Sequence, residues 1–403
     1  MCLGLADALA NLWGDVMPIK NSFAEMLPDI TAWRQDFHAH PELMFDVQRT
    51  AGKVAELCRS FGCDEVVEGI GRTGVVVVIK GRQNGSGRVI GLRADMDALP
   101  IIEQTGVAYA SKTHGKMHAC GHDGHTAMLL GAARYLAETR NFDGTAVFIF
   151  QPAEEGGGGG REMVADGMME RFGIQEVYGM HNMPGIPVGA FGIRDGAMMA
   201  AADTVEILIT GKGGHAAKPQ DCVDPVVVAS HLILALQTIA SRNVDPLHQV
   251  VVSICVVETD SPASNVIPQT VKLKGTVRTM DPAVQDLAEQ RLTEIAQGTA
   301  LALGARAEVN YRRGYPVTVN ATTQTGYAVD VARSISPQVD TNIAPMMGAE
   351  DFSYMLNARP GAYIFVGNGD TAMVHHPAYN FDDDVIPFGA SWYAGMVEAR
   401  MPV

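Results

Sequence analysis

Short runs that are apolar at nearly every position alternate, through the first half of the chain, with longer stretches whose apolar residues recur at helical spacing. Gly74-Val-Val-Val-Val-Ile-Lys80, Arg88-Val-Ile-Gly-Leu-Arg93 and Thr145-Ala-Val-Phe-Ile-Phe150 are of the first kind. Runs like these, bounded by Gly and Asn, predict strands buried on both faces. Ile30 to His40 predicts the end of an amphipathic helix, stopped at Pro41 because proline disfavours the helical basin in the residue before it. Asp46 is placed to cap a second helix reaching about Phe61, and Asp123 to Thr139 has the periodicity of a third. Strands alternating with helices imply an α/β fold with a mainly parallel sheet flanked by helices.

The pattern changes after about Ala197. Asp203 to Thr210 alternates apolar and polar, Cys222 to Arg242 predicts a long apolar helix, and Gln249 to Val257 and Thr270 to Thr279 predict strands. A second helix runs from Asp281 to Leu303, with Asp281 as its cap and Pro282 in its first turn. Two helices over an antiparallel sheet make an α+β domain of ordinary size. The α/β pattern resumes near Val317, so the expected organisation is a main domain of residues 1–196 and 314–403 interrupted by an inserted domain at 197–313.

Length agrees with this division, since 403 residues exceed what one hydrophobic core usually supports. A 47% hydrophobic and 19% charged composition supports globular packing. A formal charge of −15 without a Lys/Arg cluster argues against a nucleic-acid partner, because that affinity comes mostly from basic side chains. Six scattered cysteines lack the spacing of a disulfide framework and point to free thiols in the cytoplasm. Leu3 to Trp13 lacks the basic start and cleavage site of an export signal. With no apolar run of about 18 residues, no membrane-crossing helix is expected.

Candidate chemistry gathers where strands end, as ligands of open α/β sheets do. His118-Ala-Cys-Gly-His-Asp-Gly-His125 packs three imidazoles and a thiol into eight residues. Cys120 and His122 lie just before a helix and can converge on one ion, and Glu155 and His181 at neighbouring strand ends complete a plausible ligand set of thiolate, imidazole and carboxylate. His118 and His125 fit supporting or helix-face positions better. Glu154 and Glu155 end an apolar strand and lead into Gly156 to Gly160, a loop so glycine-rich that another backbone must approach it. It is not a phosphate loop, because Arg161-Glu162 follows and no Gly-Lys-Ser/Thr is present. Asp95 and Asp97 point the same way by strand alternation, and Asp97 is suited to orient a ligand histidine. His375-His376 alone reads as a surface loop, and His215, between glycines and alanines, as an exposed turn.

These segments together resemble the M20 metallopeptidase family, in its amidohydrolase branch of hippurate, N-acyl-amino-acid and auxin-conjugate hydrolases. The resemblance is carried by His38-Ala-His-Pro-Glu-Leu43, Gly91 to Pro100, His118 to His125, Phe150 to Gly160, Met180-His-Asn182, Gly213-Gly-His-Ala-Ala217, Asn265-Val-Ile-Pro268, Gly275-Thr-Val-Arg278, Gly348 to Ser353 and His375 to Asp383. It implies a zinc-exopeptidase-like fold in which the inserted domain is a lid that often dimerises, giving a homodimer or homotetramer. It also implies two divalent ions, Zn²⁺ or Mn²⁺ with Co²⁺ or Ni²⁺ as other candidates, held by Cys120, His122, Glu155, His181 and a C-terminal histidine. The family's His-x-Pro pattern selects His375 for that last ligand. Glu154 would be the general base, His215 would bind the substrate carbonyl, and Asn265 and Arg278 would hold the substrate carboxylate. Members commonly begin near the first helix, so Met17 looks like a natural start and residues 1 to 16 look dispensable.

The implied reaction is hydrolysis of the amide between an acyl or aroyl group and a free amino acid. Dipeptidase or N-acetyl-diaminopimelate deacetylase activity is the nearest rival. Two readings from other classes are a thiol amidase with Cys120 as nucleophile and a non-catalytic binding protein on a hydrolase scaffold.

Overall fold

The computed structural model describes residues 18–403. The expectations for Cys2, for Leu3 to Trp13 and for residues 1 to 16 as a dispensable start lie outside the described residues. The chain forms two compact units. One comprises residues 18–196 with Val319–Ala344 and Tyr354–Val403; the other comprises Ala197–Thr318 with Pro345–Ser353.

The larger unit is built on an eight-stranded sheet. Helix α1 (Pro18–Ala39) ends before Pro41 as its sequence requires, and α2 spans Gln48–Ser60. Asp46 does not cap α2. That role falls to Glu42, whose carboxylate accepts from the backbone amides of Arg49 and Thr50 at 3.1 and 2.8 Å. Strands β1 (Glu65–Ile70), β2 (Gly74–Lys80), β3 (Val89–Asp95), β4 (Thr145–Gln151) and β5 (Glu176–Met183) follow, with helix α3 (His122–Thr139) between β3 and β4. Their spatial order is β1-β2-β4-β3-β5, continued by Gly361–Gly367, Phe191–Gly192 and Val339–Asp340. The run from β4 through β3 and β5 to Gly361–Gly367 is parallel, while β2 is antiparallel to both of its neighbours, β1 and β4. The apolar runs of β2 and β4 are buried at nearly every position, because helices cover both faces. α3 packs against α1 and the C-terminal helix Ile386–Arg400, and Phe37, Leu129, Phe148 and Trp392 are completely buried in that core.

The smaller unit is a four-stranded antiparallel sheet in the order Val250–Thr259, Thr270–Thr279, Ala201–Thr210, Arg306–Tyr315. Helices Pro225–Leu236 and Pro282–Ala302 pack on it. Asp281 caps the second helix, accepting from Ala283 and Val284 at 2.7 and 3.3 Å. The fourth strand, Arg306–Tyr315, runs across the boundary expected at residue 313. The Pro225–Asn243 stretch is long and apolar enough to cross a membrane, against the expectation that no segment would be, yet a third of it is buried, and Val228, Leu232 and Leu236 join the core beneath it.

In the larger unit α1 carries a buried charge network. The Arg34 guanidinium pairs with Asp383 at 2.8 Å and lies 3.5 Å from Asp123, and it stacks 4.3 Å above the Tyr109 ring. His38 bonds Asp123 through Nδ1 at 2.8 Å and Glu103 through Nε2 at 3.2 Å. Burial by itself would push the His38 imidazole down, but the hydrogen bond and charge of Asp123, then those of Glu103, outweigh it and hold the ring protonated up to about 9. An unfolded histidine titrates near pH 6.5. Protonated His38 therefore stabilises the fold fully below about pH 6.5, and that contribution is lost as pH rises through 9. The thermal midpoint should fall across this window more steeply in the wild type than in His38→Asn, and parallel melting profiles of the two proteins would contradict the assignment.

Candidate metal centre

The carboxyl ends of β3, β4 and β5 bring the chemistry together. β3 ends at Asp95, with Asp97 two residues beyond; β4 leads through Pro152 and Ala153 to Glu154 and Glu155. His181 lies inside β5 rather than after it, because the strand continues to Met183. Cys120 and His122 flank Gly121, and His122 opens α3. His375 sits on a loop with φ of 68°, fastened by its backbone amide to the Ala119 carbonyl at 2.6 Å. The glycine loop is tight for a local reason: a Cβ on Gly159 would collide with the Pro152 carbonyl, so the approaching backbone is the loop's own start.

Donor atoms of Cys120, His122 and His181 lie within 4.8 Å of one another, as do those of Cys120, Glu155 and His375, and of His122, Glu154 and Glu155. Cys120 Sγ is 3.3 Å from His181 Nε2. Glu155 Oε1 lies 3.3 Å from His375 Nε2 and 4.0 Å from His122 Nε2, yet it makes no hydrogen bond. Neither ring nitrogen of His122 makes one either, although the ring is buried. Buried polar atoms without partners are costly. Their convergence with a thiol and further imidazoles suits divalent metal ions, whose borderline-soft members accept this mixed donor set. The residues present fit a metal.

The titration of these groups is set by burial and by one another. Burial pushes the Cys120 thiol up, against the pull of His122 and His375. Cys120 and Glu155 together push His375 up to about 10, and burial with the neighbouring His125 keeps His181 well below the usual imidazole range. His376 turns away: its Nδ1 accepts from Ala378 N at 3.0 Å within its own turn.

Behind these donors stands a layer of carboxylates. Asp97 accepts the backbone amides of Glu154 at 2.9 Å and Glu155 at 3.1 Å, and its Oδ1 lies 3.5 Å from His122 Nδ1. Asp95 binds His125 Nδ1 at 2.6 Å and Arg93 at 2.7 Å. His125 Nε2 accepts from the Asn182 amide at 2.9 Å, so both of its nitrogens are engaged and it is not a free donor despite its closeness to His122. His118 is buried and held neutral, its value pushed down to about 3 by burial, and stands outside the donor groups. Sequence reasoning placed His118 and His125 in supporting positions but gave no role to Asn182 and Tyr379, although both lie in stretches, Met180–Asn182 and His375–Asp383, that carry the family resemblance.

The remaining candidates belong to the smaller unit. His215 is exposed on a two-residue strand in register with Val266, and its Nδ1 accepts from Ala217 N at 3.0 Å. Asn265, also exposed, accepts from Ala216 N at 3.1 Å through its carbonyl. Arg278 lies in the strand Thr270–Thr279 between Ala202 and Val251, half-buried, its guanidinium in no side-chain hydrogen bond or ion pair among the described residues.

Asp97→Ala would leave two amides without their acceptor, each worth about 1–3 kcal/mol. It should lower unfolding stability by a few kcal/mol and metal affinity about 10- to 100-fold, the usual effect of losing an outer-shell partner. Dye-competition titration at unchanged affinity would show that Asp97 does not support the centre.

Comparison with known proteins agrees with this geometry. Residues 91–399 match the model of peptidase family M20/M25/M40. The chain is 41% identical over 386 residues to the hippurate hydrolase of Campylobacter jejuni, covering 95% of this chain and 98% of that one. It is 39% identical over 367 residues to an N-acetylcysteine deacetylase of Bacillus subtilis, covering 90% and 94%. A solved structure of a dinuclear metal-binding peptidase of the M20 family, also from Bacillus subtilis, superposes with a TM-score of 0.82 at 34% identity, over 94% of this chain and 99% of that one. A donor cluster at the carboxyl ends of a parallel sheet, in a chain matched over most of its length by that family model, identifies this protein as a member of peptidase family M20/M25/M40.

Proposed function

We propose that the protein hydrolyses N-acyl or N-aroyl amino acids, hippurate among them, releasing a carboxylic acid and a free amino acid. The observation that carries this reading is the convergence of buried Cys120, His122 and His181 with half-buried Glu155 and exposed His375, Glu154 lying beside them. Its similarity to a hippurate hydrolase and an N-acetylcysteine deacetylase supports the substrate class. These five residues would hold two divalent ions, Zn²⁺ or Mn²⁺ being the first candidates. Such ions supply a polarised carbonyl and water of lowered pKa.

Glu154, 7% exposed and with its backbone fixed by Asp97, is the group assigned to take the proton of the attacking water and return it to the departing amine. Because His215 Nδ1 accepts a hydrogen bond, a neutral ring carries its proton on Nε2, the form that donates to a developing oxyanion. Arg278 is assigned to the substrate carboxylate, where a guanidinium without an internal partner has bidentate geometry to offer, and Asn265 to the same end. Cys120 as a nucleophile is less favoured, since burial raises its thiol rather than activating it.

Purified protein should cleave hippurate or members of an N-acetyl amino-acid panel, lose that activity on chelation and regain it with Zn²⁺ or Mn²⁺. Activity indifferent to chelation would remove the metal from the reaction. Glu154→Gln should keep its metal content while kcat drops about a hundred- to ten-thousand-fold, and in the same assay Arg278→Met should raise KM.

We also propose a homodimer formed through the smaller unit. Val250–Thr259 is an edge strand whose outer side is unpaired in its sheet, with Val251 and Val257 exposed. The helix Pro225–Leu236 exposes Val226, Val227 and Leu234, the last at 71%. Edges and apolar faces of this kind are covered in stable proteins, and a second copy would extend the sheet and bury the helix. Sedimentation should give a dimer that Leu234→Glu with Val257→Lys converts to monomer; a monomeric wild type would refute the assembly.

A further inference from the structure

One fully buried polar side chain beside the proposed metal centre has no part in the reaction described above. It is Asn182, directly after His181 in β5. Asparagine is depleted in strands, yet here every hydrogen-bonding group of its amide is used. Nδ2 donates to the Cys120 carbonyl at 2.6 Å and lies 3.0 Å from His125 Nε2. Oδ1 accepts from the Tyr379 hydroxyl at 2.7 Å, and the backbone amide donates to the same His125 nitrogen at 2.9 Å.

These partners are distributed in a particular way. Cys120 is itself a candidate ligand; His125 lies one turn along α3 from His122; Tyr379 lies four residues past His375. One amide therefore touches the two other segments, 118–125 and 375–379, that with its own carry Cys120, His122, His181 and His375. Rotating the amide would set Oδ1 against the Cys120 carbonyl and the His125 nitrogen, both acceptors, so the present orientation is favoured. Gly121 records the same constraint. A Cβ there would overlap both Asn182 Nδ2 and the Tyr379 hydroxyl, and its φ of 93° disfavours any side chain. The Cys-Gly-His spacing is thus shaped around this amide.

We infer that Asn182 is a positioning residue for the metal centre, setting the mutual geometry of three ligand-bearing segments and hence the affinity for divalent ions. The inference rests on the metal reading of the site. A merely structural role would lower stability while leaving the folded protein's affinity intact, so the two are separable.

The test is Co²⁺ binding by metal-free protein, followed by dye competition and by the near-ultraviolet thiolate-to-cobalt absorption that reports Cys120, alongside melting of the metal-free form. Asn182→Leu, close in volume, should bind Co²⁺ about 10- to 100-fold more weakly with the thiolate band displaced or lost, at temperatures where it is fully folded. Tyr379→Phe, which deletes one hydroxyl and keeps the ring, should show the same change near the lower end of that range. Wild-type affinity and spectrum in the folded variants, or in Tyr379→Phe alone should Asn182→Leu not fold, would overturn the inference. A wild type that binds no Co²⁺ would instead overturn the metal reading, and this inference with it.

Discussion

The carboxylate of Asp97 holds the backbone amides of two successive glutamates, and the arrangement of the site follows from that clasp. Glu154 and Glu155 are adjacent in sequence, nearly buried and both acidic, a combination that left alone would swing apart or protonate. Two backbone donors on one carboxylate fix the peptide between them, so the two side chains take separate roles. The clasp also joins the ends of β3 and β4, paired from Val89–Thr145 to Asp95–Gln151, so positioning of the acidic pair draws on the rigidity of the sheet. Burial pushes the Asp97 carboxyl up, and the nearby His122 works against that push.

Outside this clasp the site is layered, and the layers have opposite needs. The inner layer has atoms without hydrogen-bond partners, on His122 and Glu155. The outer layer, of Asp95, Asp97, His125 and Asn182, has its contacts satisfied within the protein. A polar network confers specificity when every member is paired, and a cation shared among the inner atoms would pair them. The same contrast separates His122 from His125: His125 spends both nitrogens on the scaffold, while His122 spends neither.

Much of this was legible in the sequence where the physics is local. The apolar runs of β2 and β4 and the cap at Asp281 lie where pattern and turn chemistry put them. The cap of α2 was not legible, because Glu42 reaches it from outside the helix across a turn. β1, with exposed and half-buried positions, carries no apolar run to announce it. Residue types and strand ends pointed to Cys120, His122, Glu155 and His181, but choosing between His375 and His376 needed a family pattern, since nothing local distinguishes two adjacent histidines. Asn182 was invisible as an actor, because its partners lie 57 to 197 residues away and only the fold reveals them.

The parallel sheet is closed by a strand that arrives late. Gly361–Gly367 pairs with β5, and the C-terminal helix Ile386–Arg400 packs on α1 and α3, so the unit that contains α1 is completed only by the last forty or so residues. At usual synthesis rates, about 10–50 s separate the emergence of Cys120 from that of His375. During that interval the thiol, later almost wholly enclosed, is open to oxidants and to any stray cation that an incomplete set of donors can hold. Long-range closure of the fold thus leaves the donor set incomplete until nearly the whole chain has been made.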